Sequence, residues 1–138
     1  MHLIDTNVLS EARKQARANP GVTAFFRQAN DRNAPLYLSV ISVGELRRGV
    51  ESIRYRGDVD QADLLGAWLD DVLDHYRHNI LAFDIDAAQV WGRLRVPHAE
   101  REIDKQIAAI ALVNGLTVVT RNTADFIATG VDVLNPFL

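Results

Sequence analysis

Apolar residues along the chain alternate between short continuous runs and longer stretches spaced three or four apart. The short runs are residues 2–5, 36–40 (LYLSV), 80–83 (ILAF), 116–120 (LTVVT) and 131–134 (VDVL). All five predict strands, and the almost continuously apolar run 116–120 predicts a parallel strand buried on both faces. Between them the spacing turns helical. Helices are predicted from Leu9 to Arg17, from Pro20 to about Asn30, after Ser42 through Leu46 and Val50, and from Asp60 through Leu64, Leu65, Trp68, Leu69, Val72, Leu73 and Tyr76. Two more carry Ala87, Val90, Trp91 and Leu94, then Ile107, Ala108, Ile110 and Ala111, with a short one at 124–129.

Local chemistry punctuates these elements. Asp5-Thr6-Asn7 predicts a strand-to-helix corner, because Asp and Asn side chains bond nearby backbone. Ser42 with Glu45 three residues on predicts a capping box. Asn19-Pro20-Gly21, Gly57, Pro97 and Asn114-Gly115 mark breaks. Asp84 or Asp86 opens the fifth helix, and Asp104 precedes the sixth. Strands alternating with helices define an α/β fold with a mainly parallel sheet. No repeat or linker divides residues 1–138, so one domain is expected. The apolar excess around Phe25 and Trp68 is either core or a homodimer face.

Composition narrows the chemistry. The 138 residues hold no cysteine, which removes disulfides and thiolate metal sites. The net charge of −3 argues against a passive coat on a polyanion. Basic residues still group at Arg13, Lys14 and Arg17, at Arg47 and Arg48, and at Arg54 and Arg56. No apolar run approaches the roughly 20 residues that span a bilayer. An acidic residue already at position 5 does not suit a signal peptide, so a cytoplasmic location and no membrane partner are expected.

In parallel α/β sheets, functional groups gather outside the carboxyl ends of the strands. Four acids belong there: Asp5 after the first strand, Glu45 after the second, Asp104 at the helix feeding the fourth, and Asp125 after the fourth. Together they form a set of oxygen donors suited to Mg²⁺ or Mn²⁺. Such ions activate water and stabilise charge on a phosphoryl group. Each acid also has a plain alternative. Asp5 is a corner former, Glu45 half of a capping box, Asp104 an N-cap, and Asp125 a turn residue or cap. Thr6, Asn7, Thr120 and Asn122 are polar residues at the same edge. Arg121 either meets a phosphate or pairs with Asp125, and Lys105 either approaches phosphate or is solvated. His75 and His78 are three apart, a spacing that would put them on one face of the long helix, but no nearby motif supports zinc. A glycine-rich phosphate loop is missing.

The segments LIDTNVLSE, SVISVGELRRGV, EIDKQIAAIALVNGLTVVTRNTADF and GVDVLNPF closely resemble PIN-domain ribonucleases. The nearest look is the VapC-type toxin of type II toxin–antitoxin pairs, including its FitB-like branch. The match covers nearly the whole chain. It implies a three-layer α/β/α domain, with Asp5, Glu45, Asp104 and Asp125 as catalytic, metal-binding acids and Thr120 and Asn122 beside them. It implies a metal-dependent endoribonuclease that cuts single-stranded regions of RNA, often transfer or ribosomal RNA, leaving 3′-hydroxyl and 5′-phosphate ends. It also implies a cognate VapB-type antitoxin whose C-terminal segment crosses the active-site groove, a homodimer, and a toxin–antitoxin hetero-octamer. Lys105-Gln106 and the charged stretch PHAEREI depart from the family pattern. A non-catalytic module that binds antitoxin or nucleic acid is the alternative from another class. A DNA-directed nuclease and a phosphomonoesterase are the other enzyme readings.

Overall fold

The structure, a computed structural model, describes residues 1–138. Five strands form one all-parallel sheet in the order β3-β2-β1-β4-β5. They are β1 (His2–Ile4), β2 (Leu36–Ser39), β3 (Ile80–Leu81), β4 (Thr117–Val119) and β5 (Val133–Leu134). The helices are α1 (Thr6–Ala12), α2 (Pro20–Asp31), α3 (Val40–Tyr55), α4 (Val59–Tyr76), α5 (Ile85–Leu94), α6 (Glu102–Asn114) and α7 (Thr123–Ile127).

Alternation along the central strands builds the three layers. Leu3 and Val118 are register partners and face one core, with Ile107, Ile110 and Phe126 from α6 and α7. Their successors Ile4 and Val119 face the other, with Val8, Leu9, Val22 and Leu38. All of these side chains except Leu9 and Ile107 are wholly inaccessible. Burying each contributes roughly 1.5–3 kcal/mol. Val50, Ala62 and Leu69 form a third cluster between α3 and α4. Trp68 and Phe25 pack against the second core but remain half-exposed. In α6, Ile107 to Ala111 are consecutively buried, so this helix is embedded on more than one side. Its alanines leave room for α5 to approach.

Several boundaries move from the sequence expectation, each for a local reason. The first helix ends at Ala12, and Gln15, at φ 53°, begins a separate 3-10 turn over Gln15–Arg17. Ser39, not Ser42, caps α3: its hydroxyl accepts the Ser42 N–H at 3.0 Å and donates to the Ser42 hydroxyl oxygen at 3.1 Å. Asp58, not Asp60, caps α4 through the Gln61 N–H. Asp84 caps α5. Asp104 lies inside the first turn of α6, where a carboxylate suits the positive end of the helix dipole. Gly115 ends α6 at φ 65°, and Leu116 N–H bonds back to the Ala111 carbonyl. The tail beyond β5 closes onto α2. Asn19 binds Leu138 through both ends of its amide, and a Cβ on Gly21 would lie 2.1 Å from the Pro136 carbonyl oxygen. No helix is long and apolar enough to cross a membrane.

Candidate active site

Strands β2 and β4 flank β1 on opposite sides, so the chain order switches direction between β1 and β4. The crevice beyond strand ends at such a switch is where parallel sheets bind ligands. Asp5 follows β1 there and Thr120 follows β4. The Thr120 hydroxyl donates to Asp5 Oδ2 at 2.9 Å, joining the two strand ends. It also accepts the Asn122 N–H at 3.0 Å and the Asn7 amide at 3.3 Å. The Asn7 amide is shared with Asp5 Oδ2, and Asn7 Oδ1 accepts the Arg121 N–H. Asp5 Oδ1 takes the Thr6 N–H at 2.8 Å, which makes Asp5 the N-cap of α1. The Thr6 hydroxyl bonds the same oxygen at 3.4 Å.

Asp5 is therefore both a corner former and a buried carboxylate, 4% exposed. Burial pushes its pKa above the ordinary carboxylate value and Asp125 adds to that, against the bonds from Thr120 and Thr6. Asp104 is half-buried and is also shifted upward. Burial is the main cause, and Asp5, Asp125 and Glu45 push in the same direction while Arg101 opposes. Carboxylates from the end of β1, from α3 and from α7 thus act on a single group of α6. Glu45 lies in the second turn of α3 and is free of the helix cap, since Ser39 performs that role. Asp125 lies in the first turn of α7.

The donor set is hard oxygen, which suits Mg²⁺ or Mn²⁺, and a cation would offset both the burial of Asp5 and Asp104 and the repulsion from neighbouring acids that adds to it. The side-chain positions are open: no three acidic or histidine side chains stand close enough to hold one ion. Asp125 is turned to Arg101, with Nη1 2.7 Å from Oδ1.

Arg101 is the residue here that the sequence did not single out. Its only signal was the excess charge in residues 97–103. Arg121 does not pair with Asp125; its guanidinium lies over the Phe137 ring at 4.9 Å and its charge is felt at Glu11. Lys105 donates to the His98 carbonyl. Asn122 contributes its backbone N–H rather than a side-chain cap. Of the grouped arginines, Arg47 and Arg54 pair with Asp70 and Asp63 of α4, each at 2.9 Å, and Arg13 lies 6.0 Å from the Trp68 ring.

Two cavities flank the acids. One, about 320 Å³, runs from Thr6 and Glu45 over Leu46 and Ile53 to Leu65 and Trp68. The other, about 310 Å³, lies beside Asp125 and is lined by Pro97, His98, Arg101 and Lys105.

The five-stranded parallel sheet with helices on both faces is consistent with a PIN-like architecture. The PIN domain family model matches residues 2–131, and the chain belongs to that family. Within it the chain falls in the VapC-type branch that includes FitB. It is 34% identical to VapC ribonuclease Y4jK of Sinorhizobium fredii, over 99% of this chain and 98% of the relative. It is 35% identical to Toxin FitB of Neisseria gonorrhoeae, over 99% of each. The crystal structure of FitAcB from Neisseria gonorrhoeae superposes with a TM-score of 0.82 at 34% identity, covering 99% of this chain and 98% of that one. Family membership makes a PIN-domain nuclease-type toxin the functional class.

Proposed function

We propose that the chain is a metal-dependent endoribonuclease toxin acting through Asp5, Glu45, Asp104 and Asp125. The observation that carries this is the placement of the four acids about one end of the parallel sheet, near enough that Asp5, Asp125 and Glu45 add to burial in disfavouring ionisation of Asp104. Acids left in one another's field at a ligand-binding sheet edge are the arrangement a divalent cation stabilises. The ribonuclease name of the Sinorhizobium relative supports RNA as the substrate.

Asp5, Glu45, Asp104 and Asp125 would hold Mg²⁺ or Mn²⁺. When bound, the cation supplies Lewis acidity to an attacking water and to the phosphoryl oxygens. The chain's own residues do the positioning. Thr120 and Asn7 hold one oxygen of Asp5, and the Thr6 N–H holds the other. That fixes the carboxylate plane before any ligand arrives, which lowers the reorganisation needed during reaction. Attack by water at phosphorus would leave 3′-hydroxyl and 5′-phosphate ends.

The cleft from Glu45 to Trp68 suits a segment of a cognate antitoxin. It pairs apolar walls at Leu46, Leu65 and Trp68 with an acidic end at the candidate site. Such a segment would present apolar side chains followed by a cation. A homodimer and a toxin–antitoxin hetero-octamer belong to the same proposal.

The decisive experiment incubates the purified, antitoxin-free chain with structured RNA and matched DNA, with Mn²⁺ or with chelator, beside Asp5→Asn. Asn caps helices about as well as Asp, so the variant keeps the corner. Wild-type RNA cleavage is expected to vanish with chelator and to fall about a hundredfold or more in the variant. Equal cleavage by both proteins would overturn the acidic-site mechanism.

A further inference from the structure

The loop joining α5 to α6 carries a cation to the acids that the proposed chemistry does not use. Arg101 directly precedes α6 and holds a left-handed backbone, φ 59° and ψ 48°. That conformation costs a non-glycine residue roughly 1 kcal/mol or more. The loop is tethered around it. The Trp91 indole N–H donates to the Glu102 carbonyl at 3.2 Å, and the Lys105 ammonium to the His98 carbonyl. Arg95 donates to the Ala99 carbonyl and stacks over Trp91 at 4.5 Å. From this support Arg101 makes the shortest ion pair in the chain, 2.7 Å to Asp125.

Asp125 differs from its neighbours in this respect. Asp5 is held by neutral donors, and neither Asp104 nor Glu45 forms an ion pair. The Arg101 side chain is 56% exposed and borders the 310 Å³ cavity. Its guanidinium therefore has somewhere to go when Asp125 turns inward.

We propose that Arg101 competes with a divalent cation for Asp125, holding that carboxylate outward and releasing it when the ion binds. The inference rests on the four acids being a metal site. A guanidinium and a metal that need the same oxygen weaken each other's binding by the same factor, so removing Arg101 strengthens metal binding. Arg101 is thus a positioning residue that acts through Asp125.

The test is calorimetric titration of Mn²⁺ into the full chain, with thermal unfolding confirming that each variant is folded. Relative to wild type, Arg101→Gln should lower the Mn²⁺ Kd about fivefold, the scale of a partly exposed ion pair. Arg101→Lys, which keeps the charge, should stay closer to wild type. Lys105→Gln removes a nearby charge that contacts a carbonyl rather than an acid, and should change Kd less than about twofold. In an Asp125→Asn background, Arg101→Gln should lose its effect. The proposal is overturned if Arg101→Gln matches wild type, or if its tightening persists undiminished without the Asp125 carboxylate, which would indicate a long-range charge effect. Absence of Mn²⁺ binding by wild type and Asp104→Asn alike would instead sink the metal-site reading, and this inference with it.

Discussion

The two halves of the candidate site are built in different ways. On the β1–β4 side, Asp5 is buried and its two oxygens are bound by Thr6, Asn7 and Thr120. On the α6–α7 side, Asp104 is half-buried without an ion pair, and Asp125 is held by an exposed arginine. The first half is fixed by short-range bonds to the corner that begins α1. The second depends on charges that a ligand can rearrange. One edge of a sheet can thus supply a rigid anchor and an adjustable clamp, because buried bonds to neutral donors persist while partly exposed ion pairs contribute little.

The comparison can be broken most strongly by removing a charge from the adjustable half. Asp104→Asn should reduce metal-dependent RNA cleavage about a hundredfold or more, measured as initial rate on one RNA at saturating Mn²⁺. Next comes the rigid half. Thr120→Val keeps the shape but removes the hydroxyl that serves Asp5, Asn7 and Asn122. A loss of about 1–3 kcal/mol in urea unfolding is expected, with cleavage down roughly 10- to 100-fold. An unchanged unfolding midpoint would mean that the corner does not rely on this hydroxyl.

A smaller effect tests the cost of the adjustable half. Asp5 and Asp104 both ionise at higher pH in the fold than their ordinary values. The folded chain therefore holds more protons than the unfolded chain between those values. Its stability falls as pH rises through that window and levels off above it. Asp104→Asn removes its share, so the metal-free variant should melt about 2–5 °C above wild type at neutral pH. Differential scanning calorimetry should show that gap closing as pH falls toward about 4. The smallest effect is expected at Arg121, whose side chain stacks on Phe137 while its backbone N–H serves Asn7. Arg121→Ala should cost under about 1 kcal/mol of stability.

Much of this molecule was readable before its structure. LTVVT announced a doubly buried strand, and β4 packs on both faces through Val118 and Val119. Asn19-Pro20-Gly21 marked the start of α2 and Asn114-Gly115 the end of α6, because each break is local backbone chemistry. Ser42 misled for a related reason. Two serines stand three apart at that helix start, and only the direction of the chain leaving β2 decides which one caps. Asp58 and Asp60 posed the same ambiguity.

The sequence by itself determined the α/β order, the parallel strands and the four acids at strand ends or crossover helices. Period, turn chemistry and motif spacing are properties of neighbouring residues, so they survive without coordinates. Only the tertiary structure decided the partners: Thr120 on Asp5 across 115 positions, Arg101 rather than Arg121 on Asp125, and Glu45 free of a cap. Those outcomes depend on which strands lie side by side and where a left-handed residue sends the chain. Such long-range geometry cannot be read from the spacing of residues along the chain.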